Sequence, residues 1–188
     1  VTPTTLSGIT MTFLLSLSGG LLAGYWVSKG DPFWTYSGGL AGIITASAGN
    51  DLYHPLQSLI IAGIGTYIAY KMHYWVERRF KIDDAVGAVA VHGYAGVVGL
   101  VICGFVLWGY PSSGYDGLGY AAINPIGMII GAVIMFGVLG FLPGWILAKI
   151  LHGAGKLRIP REVELAGLDY NIMEAAKNDE KSVASSSR

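Results

Sequence analysis

The chain has little charge and almost no cysteine. Only 13% of its 188 residues are charged, with 12 Lys and Arg balancing 12 Asp and Glu, whereas soluble globular domains carry about 25% charged residues. The zero net charge gives no support to a nucleic-acid partner, and the 53% hydrophobic content excludes a disordered chain. The single cysteine, Cys103, excludes an internal disulfide framework and a cysteine-based metal site. These features leave a polytopic membrane protein.

Five long stretches lack Asp, Glu, Lys and Arg, and a membrane-spanning helix needs roughly 20 apolar residues. The stretches are Leu6–Val27, Phe33–Asn50, Leu52–Tyr70, Ala85–Tyr115 and Gly117–Ala148. We predict an all-α bundle of five transmembrane helices within residues 1–155, with spans at about 6–27, 34–50, 53–75, 85–108 and 124–151. Turn residues predict a loop over 109–120, Asn124 and Pro125 predict a helix start, and Pro143 predicts a kink. Residues 156–188 are predicted to form a polar tail.

The basic residues predict the orientation of the chain in the membrane. They lie after the first, third and fifth stretches, and the side that carries Lys and Arg is normally cytoplasmic. The positions are Lys29, then Lys71, Arg78, Arg79 and Lys81, then Lys149, Lys156, Arg158, Arg161, Lys177, Lys181 and Arg188. We therefore expect a protein of the cell membrane with its N-terminus outside and its C-terminus in the cytoplasm. Since Val1 is no initiator methionine and no signal-peptide pattern follows it, we expect further residues before it.

His92 is an ionisable residue well inside a predicted span. It lies about eight residues into the fourth helix, roughly 12 Å along it at 1.5 Å per residue, and at such a depth a functional role is the default hypothesis. Three interpretations stay open for its helical face: close helix packing, a narrow lumen for transport, or ligation of a cofactor. The face consists of Ala88, His92, Ala95, Gly96, Gly99 and Cys103. The other histidines, His54, His73 and His152, lie near helix ends, where interfacial roles are ordinary.

Small residues also line one face of the second predicted span. Gly38, Gly42, Ala46 and Gly49 recur at nearly four-residue spacing, which predicts close packing against another helix. On the same helix, Thr45 and Ser47 are candidates either for hydrogen bonds to backbone carbonyls or for a polar lumen. Before the fourth helix, Asp83 and Asp84 are predicted to cap its free N–H groups.

Three segments together resemble the ammonium transporter family (Amt/MEP/Rh). The segment Lys81-Ile-Asp-Asp-Ala-Val-Gly-Ala-Val-Ala-Val-His92-Gly-Tyr-Ala-Gly96 is similar to the signature around the second pore histidine of that family. Upstream, Ser37–Gly49 resembles a small-residue helix of the family, and downstream, Leu157–Asp169 resembles its cytoplasmic tail. The three segments occur in the family's order along most of the chain.

The resemblance implies a fold and a function. Members have about eleven spans in two inverted five-helix repeats, enclose a narrow hydrophobic pore in each subunit, and assemble as trimers. This chain would supply the last five spans of a homotrimer, with an N-terminal half of the same fold as its partner. The resemblance implies that His92 is one of two contacting pore histidines, and we predict a substrate pathway for ammonium or ammonia along His92, Ala88, Gly96 and Thr45. The bilayer and a PII-type regulator at the tail are the other implied partners.

Some positions depart from the family pattern. Ala85 stands where a proline is common, and Tyr170–Glu174 replaces a short His-Gly-Glu run. The stretch Asn50–His54 is unusually polar for an external end, and it predicts either an altered vestibule or an added contact surface.

Other functional classes stay open beside transport. One is an ammonium sensor or structural membrane subunit on the same scaffold, and another is a haem- or quinone-binding subunit with His92 as a ligand. No nucleophile, base and orienting acid converge in the apolar segments, so we predict no enzyme, and we expect no bound cofactor or metal.

Overall fold

The computed structural model of the chain describes residues 5–111 and 122–167, and these residues form six helices. The helices are α1 (Leu6–Ser28), α2 (Pro32–Ser47), α3 (Pro55–Phe80), α4 (Val89–Val106), α5 (Pro125–Gly153) and α6 (Arg161–Ala166). Within the described ranges, extended pairing is limited to one isolated bridge between Pro111 and Ala122. The prediction of an all-α fold is confirmed. Residues 112–120 of the predicted loop and the tail beyond Gly167 lie outside the described residues.

A polar capping residue followed by proline determines where each of three helices begins. The Asp31 carboxylate accepts a hydrogen bond from the backbone N–H of Trp34 at 2.9 Å, and the Asn124 side chain accepts one from Gly127 at 2.7 Å. His54 caps α3 in the same way, through Nδ1 and the N–H of Leu56 at 3.3 Å. The first residue of each helix is a proline, whose missing N–H costs nothing at that position. The predicted helix start at Asn124 and Pro125 is confirmed.

The end of α3 and the start of α4 differ most from the sequence-based bounds, and the other helix ends agree with them to within three residues. α3 continues to Phe80, five residues past the predicted end, because Glu77, Arg78 and Arg79 are good helix formers even though the chain is no longer apolar there. It stops at Lys81, which has a left-handed backbone with φ of 58°. α4 begins at Val89, later than the predicted residue 85, because the residues before it form a turn at Gly87.

Three of the helices are long and apolar enough to cross a membrane: α1, α4 and α5. α2 has 16 residues and is therefore about 24 Å long, which is shorter than a hydrocarbon core of about 30 Å. α3 has 26 residues, but its last turns carry Glu77, Arg78 and Arg79. The prediction of five spans therefore stays a prediction for α2 and α3.

The chain divides into two compact units, Val1–Leu139 and Gly140–Arg188. In the first unit, α1 packs against α2 and α3, and α4 packs against α2, α3 and the first turns of α5. The second unit contains the end of α5, including Pro143, and the short helix α6. α5 is π-helical, with wider turns, over Val133–Phe141. This stretch ends shortly before Pro143, a residue that cannot donate a backbone hydrogen bond. This division falls inside α5 and does not test where the membrane bundle ends. The predicted boundary between bundle and tail at residue 155 therefore stays a prediction.

The backbones of α1 and α2 touch directly through glycine. A Cβ atom on Gly42 would lie 2.7 Å from the Cα of Gly20 and 2.8 Å from the carbonyl oxygen of Ser16. A Cβ atom on Gly20 would overlap the carbonyl of Gly38. Such contacts leave no room for a side chain, so the close-packing interpretation of the small-residue face of α2 is confirmed.

The polar stretch at residues 50–54 ties the ends of α1 and α3 together. Thr12 donates a hydrogen bond to the backbone carbonyl of Asn50 at 2.7 Å, and Ser58 donates to the Asn50 side chain at 3.3 Å. Tyr53 is completely buried, and burial raises the pKa of its phenol well above the usual range. These residues therefore have a structural role that the sequence did not reveal, because their partners lie on distant helices.

We predict that Gly42→Ala destabilises the bundle, because the added methyl group meets backbone atoms that cannot move aside. Overpacking of this kind costs about 1–3 kcal/mol, so the midpoint of thermal unfolding in detergent should fall clearly. Gly131→Ala is the matched control, since a Cβ atom there has nothing within 4 Å and alanine favours helix. Equal stability of the two variants would contradict the packing described for α1 and α2.

Candidate functional site

A cavity of about 250 Å³ lies between α2, α4 and α5. Its walls are aliphatic or aromatic, apart from one imidazole and one hydroxyl, and none of its lining residues carries a permanent charge. The lining consists of Ile44, Ser47, Ala48, His92, Gly96, Leu100 and Phe136. This is the arrangement expected for a small polar molecule without net charge, because a bare ion would lose its hydration without compensation.

The α4 wall of the cavity is one helical face. His92, Gly96 and Leu100 follow each other at four-residue spacing, which places them in one row. Gly96 lets the aromatic ring of Phe136 approach, since a Cβ atom there would lie 2.8 Å from Cζ of that ring. A larger residue at position 96 would therefore either displace Phe136 or fill the cavity.

His92 lies on a widened turn. α4 begins as a π-helix over Val89–Tyr94 and becomes α-helical at Ala95. Such turns are rare and occur frequently at functional sites, because the extra residue changes the direction in which side chains point. The His92 side chain is exposed and lines the cavity, and the wide turn determines the direction in which it points.

Asp84 holds the beginning of this turn. Its carboxylate accepts hydrogen bonds from the backbone N–H of Val89 at 3.1 Å and of Ala90 at 3.0 Å. Both bonds satisfy donors that have no partner within the helix. The predicted capping role is therefore confirmed for Asp84, whereas Asp83 is exposed and makes no side-chain hydrogen bond within the described residues.

His73 supports Asp84 from α3. Its Nδ1 atom lies 3.5 Å from a carboxylate oxygen of Asp84, and the side chain is buried. The imidazole packs edge-to-face on Trp34 and Tyr74, with ring centroids 5.1 Å and 4.9 Å apart. The sequence placed His73 among ordinary helix-end residues, because its contacts with α2 and with Asp84 appear only in the folded chain.

The structure brings together two of the four predicted pathway residues. His92 and Gly96 both line the cavity. Ala88 is exposed one turn before His92, and Thr45 is fully buried among the helices. Neither Ala88 nor Thr45 is among the described residues that line this cavity.

Thr45 connects three helices. Its hydroxyl donates a hydrogen bond to the carbonyl of Ala41 at 2.8 Å. A hydrogen bond to a backbone carbonyl is one of the two roles that the sequence suggests for Thr45. Its side chain contacts α3 at Gly65, and its backbone contacts α4 at Gly99, where a Cβ atom would overlap the Thr45 carbonyl. Thr45 thereby sets the distance between α2 and α4 next to the cavity.

The cavity also contains residues that sequence reasoning did not select. Ser47, a candidate for a polar lumen but not one of the predicted pathway residues, lines the cavity, and its hydroxyl donates a hydrogen bond to the Ile44 carbonyl at 2.7 Å. Ile44, Ala48, Leu100 and Phe136 carry no sequence signal of their own, because apolar residues occur throughout these helices. Across the described ranges, no group of three or more His, Cys, Asp or Glu side chains is arranged to hold a metal ion.

Comparison with known proteins gives the family. The family model described as Ammonium Transporter Family matches residues 2–177. The chain belongs to the ammonium transporter family. The resemblance of its three segments is thus confirmed, and so is the prediction that it is no enzyme, since the family consists of helical membrane transporters.

Curated relatives in the family extend well beyond this chain. The ammonium transporter Amt1 of Methanocaldococcus jannaschii is 30% identical over 94% of this chain and 43% of its own length. Amt2 of the same organism is 36% identical over 84% of this chain and 36% of its own length. Amt2 of Archaeoglobus fulgidus is 31% identical over 77% of this chain and 32% of its own length. The chain therefore spans less than half the length of these relatives, and no solved structure matches it significantly.

We predict that Asp84→Asn loosens the turn that carries His92, because an amide offers only one acceptor to two N–H donors. Loss of a helix cap costs about 0.5–2 kcal/mol. Hydrogen–deuterium exchange of the amides of Val89 and Ala90 should accelerate accordingly. Asp83→Asn is the matched control and should leave their exchange unchanged, whereas equal acceleration in both variants would contradict the cap.

Proposed function

We propose that this chain forms the C-terminal part of a transporter that moves ammonium or ammonia across the cell membrane, with the cavity beside His92 in the substrate pathway. The observation that carries the proposal is the combination of an imidazole and Gly96 in the wall of an uncharged cavity. Family membership and the printed names of the relatives, which are ammonium transporters, support it.

The cavity chemistry favours the neutral form of the substrate. Ammonium is strongly hydrated, and moving it bare along aliphatic walls is costly. If the cation leaves its proton at the entrance, ammonia can pass beside His92, because a neutral imidazole offers one donor and one acceptor. The same two nitrogens can also carry a proton along a relay to a neighbouring group.

The surrounding helices would act as the scaffold of this pathway. α2 and α4 are held together where Thr45 meets Gly99, and Asp84 holds the turn before His92. Thr45 thus supports the pathway from behind the wall, and Ala88 would lie at the end of the His92 row. We retain both as pathway residues of the proposal, with His92 and Gly96 nearest the substrate.

The proposal includes a membrane arrangement. α1 to α5 would each cross the bilayer, with the N-terminus of this chain outside and its C-terminus in the cytoplasm, as the distribution of Lys and Arg predicts. α2, with only 16 residues, would cross where neighbouring helices cover its ends. An N-terminal half of the same fold would supply the second pore histidine, three subunits would form a homotrimer, and a PII-type regulator would bind the tail.

We predict that His92→Ala changes ammonium transport in proteoliposomes that contain the protein in the full length its gene encodes. Removal of the imidazole takes away the donor and acceptor in the pathway, so ammonium flux, or its selectivity over potassium, should change by about tenfold or more. Stopped-flow pH change and potassium flux would measure the two quantities.

His152→Ala is the control, because it removes another exposed histidine outside the cavity. Unchanged flux and selectivity in His92→Ala would refute the assignment of His92. Ammonium binding by the unmodified protein without any flux would instead indicate a sensor on the same scaffold, and a haem-like visible absorption spectrum would indicate a redox subunit.

A further inference from the structure

The last turns of α3 carry two adjoining surface cavities that share their charged edge. One cavity, of about 320 Å³, is lined by Tyr70, Lys71, Tyr74 and Arg78. The other, of about 490 Å³, is lined by Lys71, Met72, Trp75 and Arg78. At about 3.6 residues per turn, the two cations form the middle of the face, with tyrosines on one side and Trp75 with Met72 on the other. The face therefore combines a polar cavity, two positive charges and an apolar cavity in that order.

Within residues 5–111 and 122–167, no carboxylate forms an ion pair with either of the two cations, Lys71 and Arg78. The Lys71 ammonium instead lies over the rings of Tyr67 and Tyr70, 5.6 Å and 5.8 Å from their centroids. These ring contacts keep the ammonium beside the polar cavity while its charge remains available to an anion.

The polar cavity contains a hydroxyl in a fixed position. Tyr74 accepts a hydrogen bond from Nε1 of Trp34 at 2.9 Å, and Trp34 is 2% exposed. Since the Tyr74 oxygen is the acceptor in that bond, its own hydrogen is free to point toward another acceptor. The rings of Tyr70 and Tyr74 pack edge-to-face with centroids 5.0 Å apart, which restricts both. The cavity thus offers a positioned O–H donor next to two positive charges.

The apolar cavity lies where the composition of α3 changes. The helix is uncharged up to Tyr70, and from Lys71 to Arg79 it carries four charged residues: Lys71, Glu77, Arg78 and Arg79. In a helix that crosses the bilayer, such a change marks the level of the headgroups, and tryptophan is enriched there. Trp75 is 49% exposed at this level. An occupant with an anionic head and an apolar tail fits both cavities at once.

We propose that this face binds an anionic phospholipid. The phosphate would lie between Lys71 and Arg78 and accept the Tyr74 hydroxyl, while the first acyl carbons would lie along Met72 and Trp75. A soluble anion would use only the polar cavity, and a zwitterionic lipid would gain less from the two cations because its net charge is zero. This inference does not depend on transport, although it does place α3 in the membrane.

The charge contribution is tested on the protein in the full length its gene encodes, purified in neutral detergent. Native mass spectrometry would count bound phosphatidylglycerol and phosphatidylcholine. We expect Lys71→Gln together with Arg78→Gln to weaken phosphatidylglycerol binding about thirtyfold, with phosphatidylcholine unaffected. Arg79→Gln together with Lys149→Gln removes the same charge outside both cavities and should have little effect. Equal losses in the two pairs, or no loss in the first, would overturn the proposal.

A competition experiment on the unmodified protein separates the sources of phosphate and needs no variant to fold. Millimolar sn-glycerol 3-phosphate should fail to displace phosphatidylglycerol, because it lacks the acyl chains. Full displacement would overturn the lipid site and assign a soluble anion. Trp75→Ala supports the proposal if it weakens phosphatidylglycerol binding severalfold while leaving the melting temperature unchanged, and it contradicts the apolar part if binding stays the same.

Discussion

The helices of this chain meet through their backbones, and glycine is what permits the contact. Gly20, Gly38 and Gly42 bring α1 and α2 together without intervening side chains, and Gly99 brings α4 against the carbonyl of Thr45. Without a hydrophobic driving force between helices inside a bilayer, such contacts supply the packing and favourable dispersion. The cavity beside His92 depends on this spacing, because its walls belong to α2 and α4 on either side of the contact.

The wide turn at the start of α4 shows how the scaffold and the site are connected. The first N–H groups of a helix have no partner within it, and at the start of this π-helical turn the Asp84 carboxylate accepts hydrogen bonds from two of them. His73 of α3 lies against Asp84 and packs on Trp34 of α2. The side chains of His73 and Asp84 therefore connect the packing of α2 and α3 to the turn. The orientation of His92 is therefore a property of three helices and not of its own helix alone.

Much of this arrangement could be predicted from the sequence. Apolar stretches predicted all five long helices, Asn124 and Pro125 marked a start, and the spacing of Gly38 and Gly42 predicted a close-packed face. The depth of His92 and the small residue Gly96 predicted two residues of the cavity wall. Phe136 and His73 could not be predicted, because their importance arises from packing between helices distant in sequence, and apolar composition alone does not specify which helices become neighbours. Likewise, the widened turn follows from hydrogen bonding that no periodicity reveals.

Cys103 has a practical consequence for later work. The thiol is fully buried on α4, and its sulfur donates a hydrogen bond to the carbonyl of Ala48 at 3.3 Å. A sulfur enclosed in this way reacts slowly with maleimides or spin labels, because reagents reach only exposed thiolates. Cys103 can therefore stay in place when cysteines for labelling are introduced elsewhere, so distance measurements by fluorescence or electron paramagnetic resonance need not disturb its contact with Ala48.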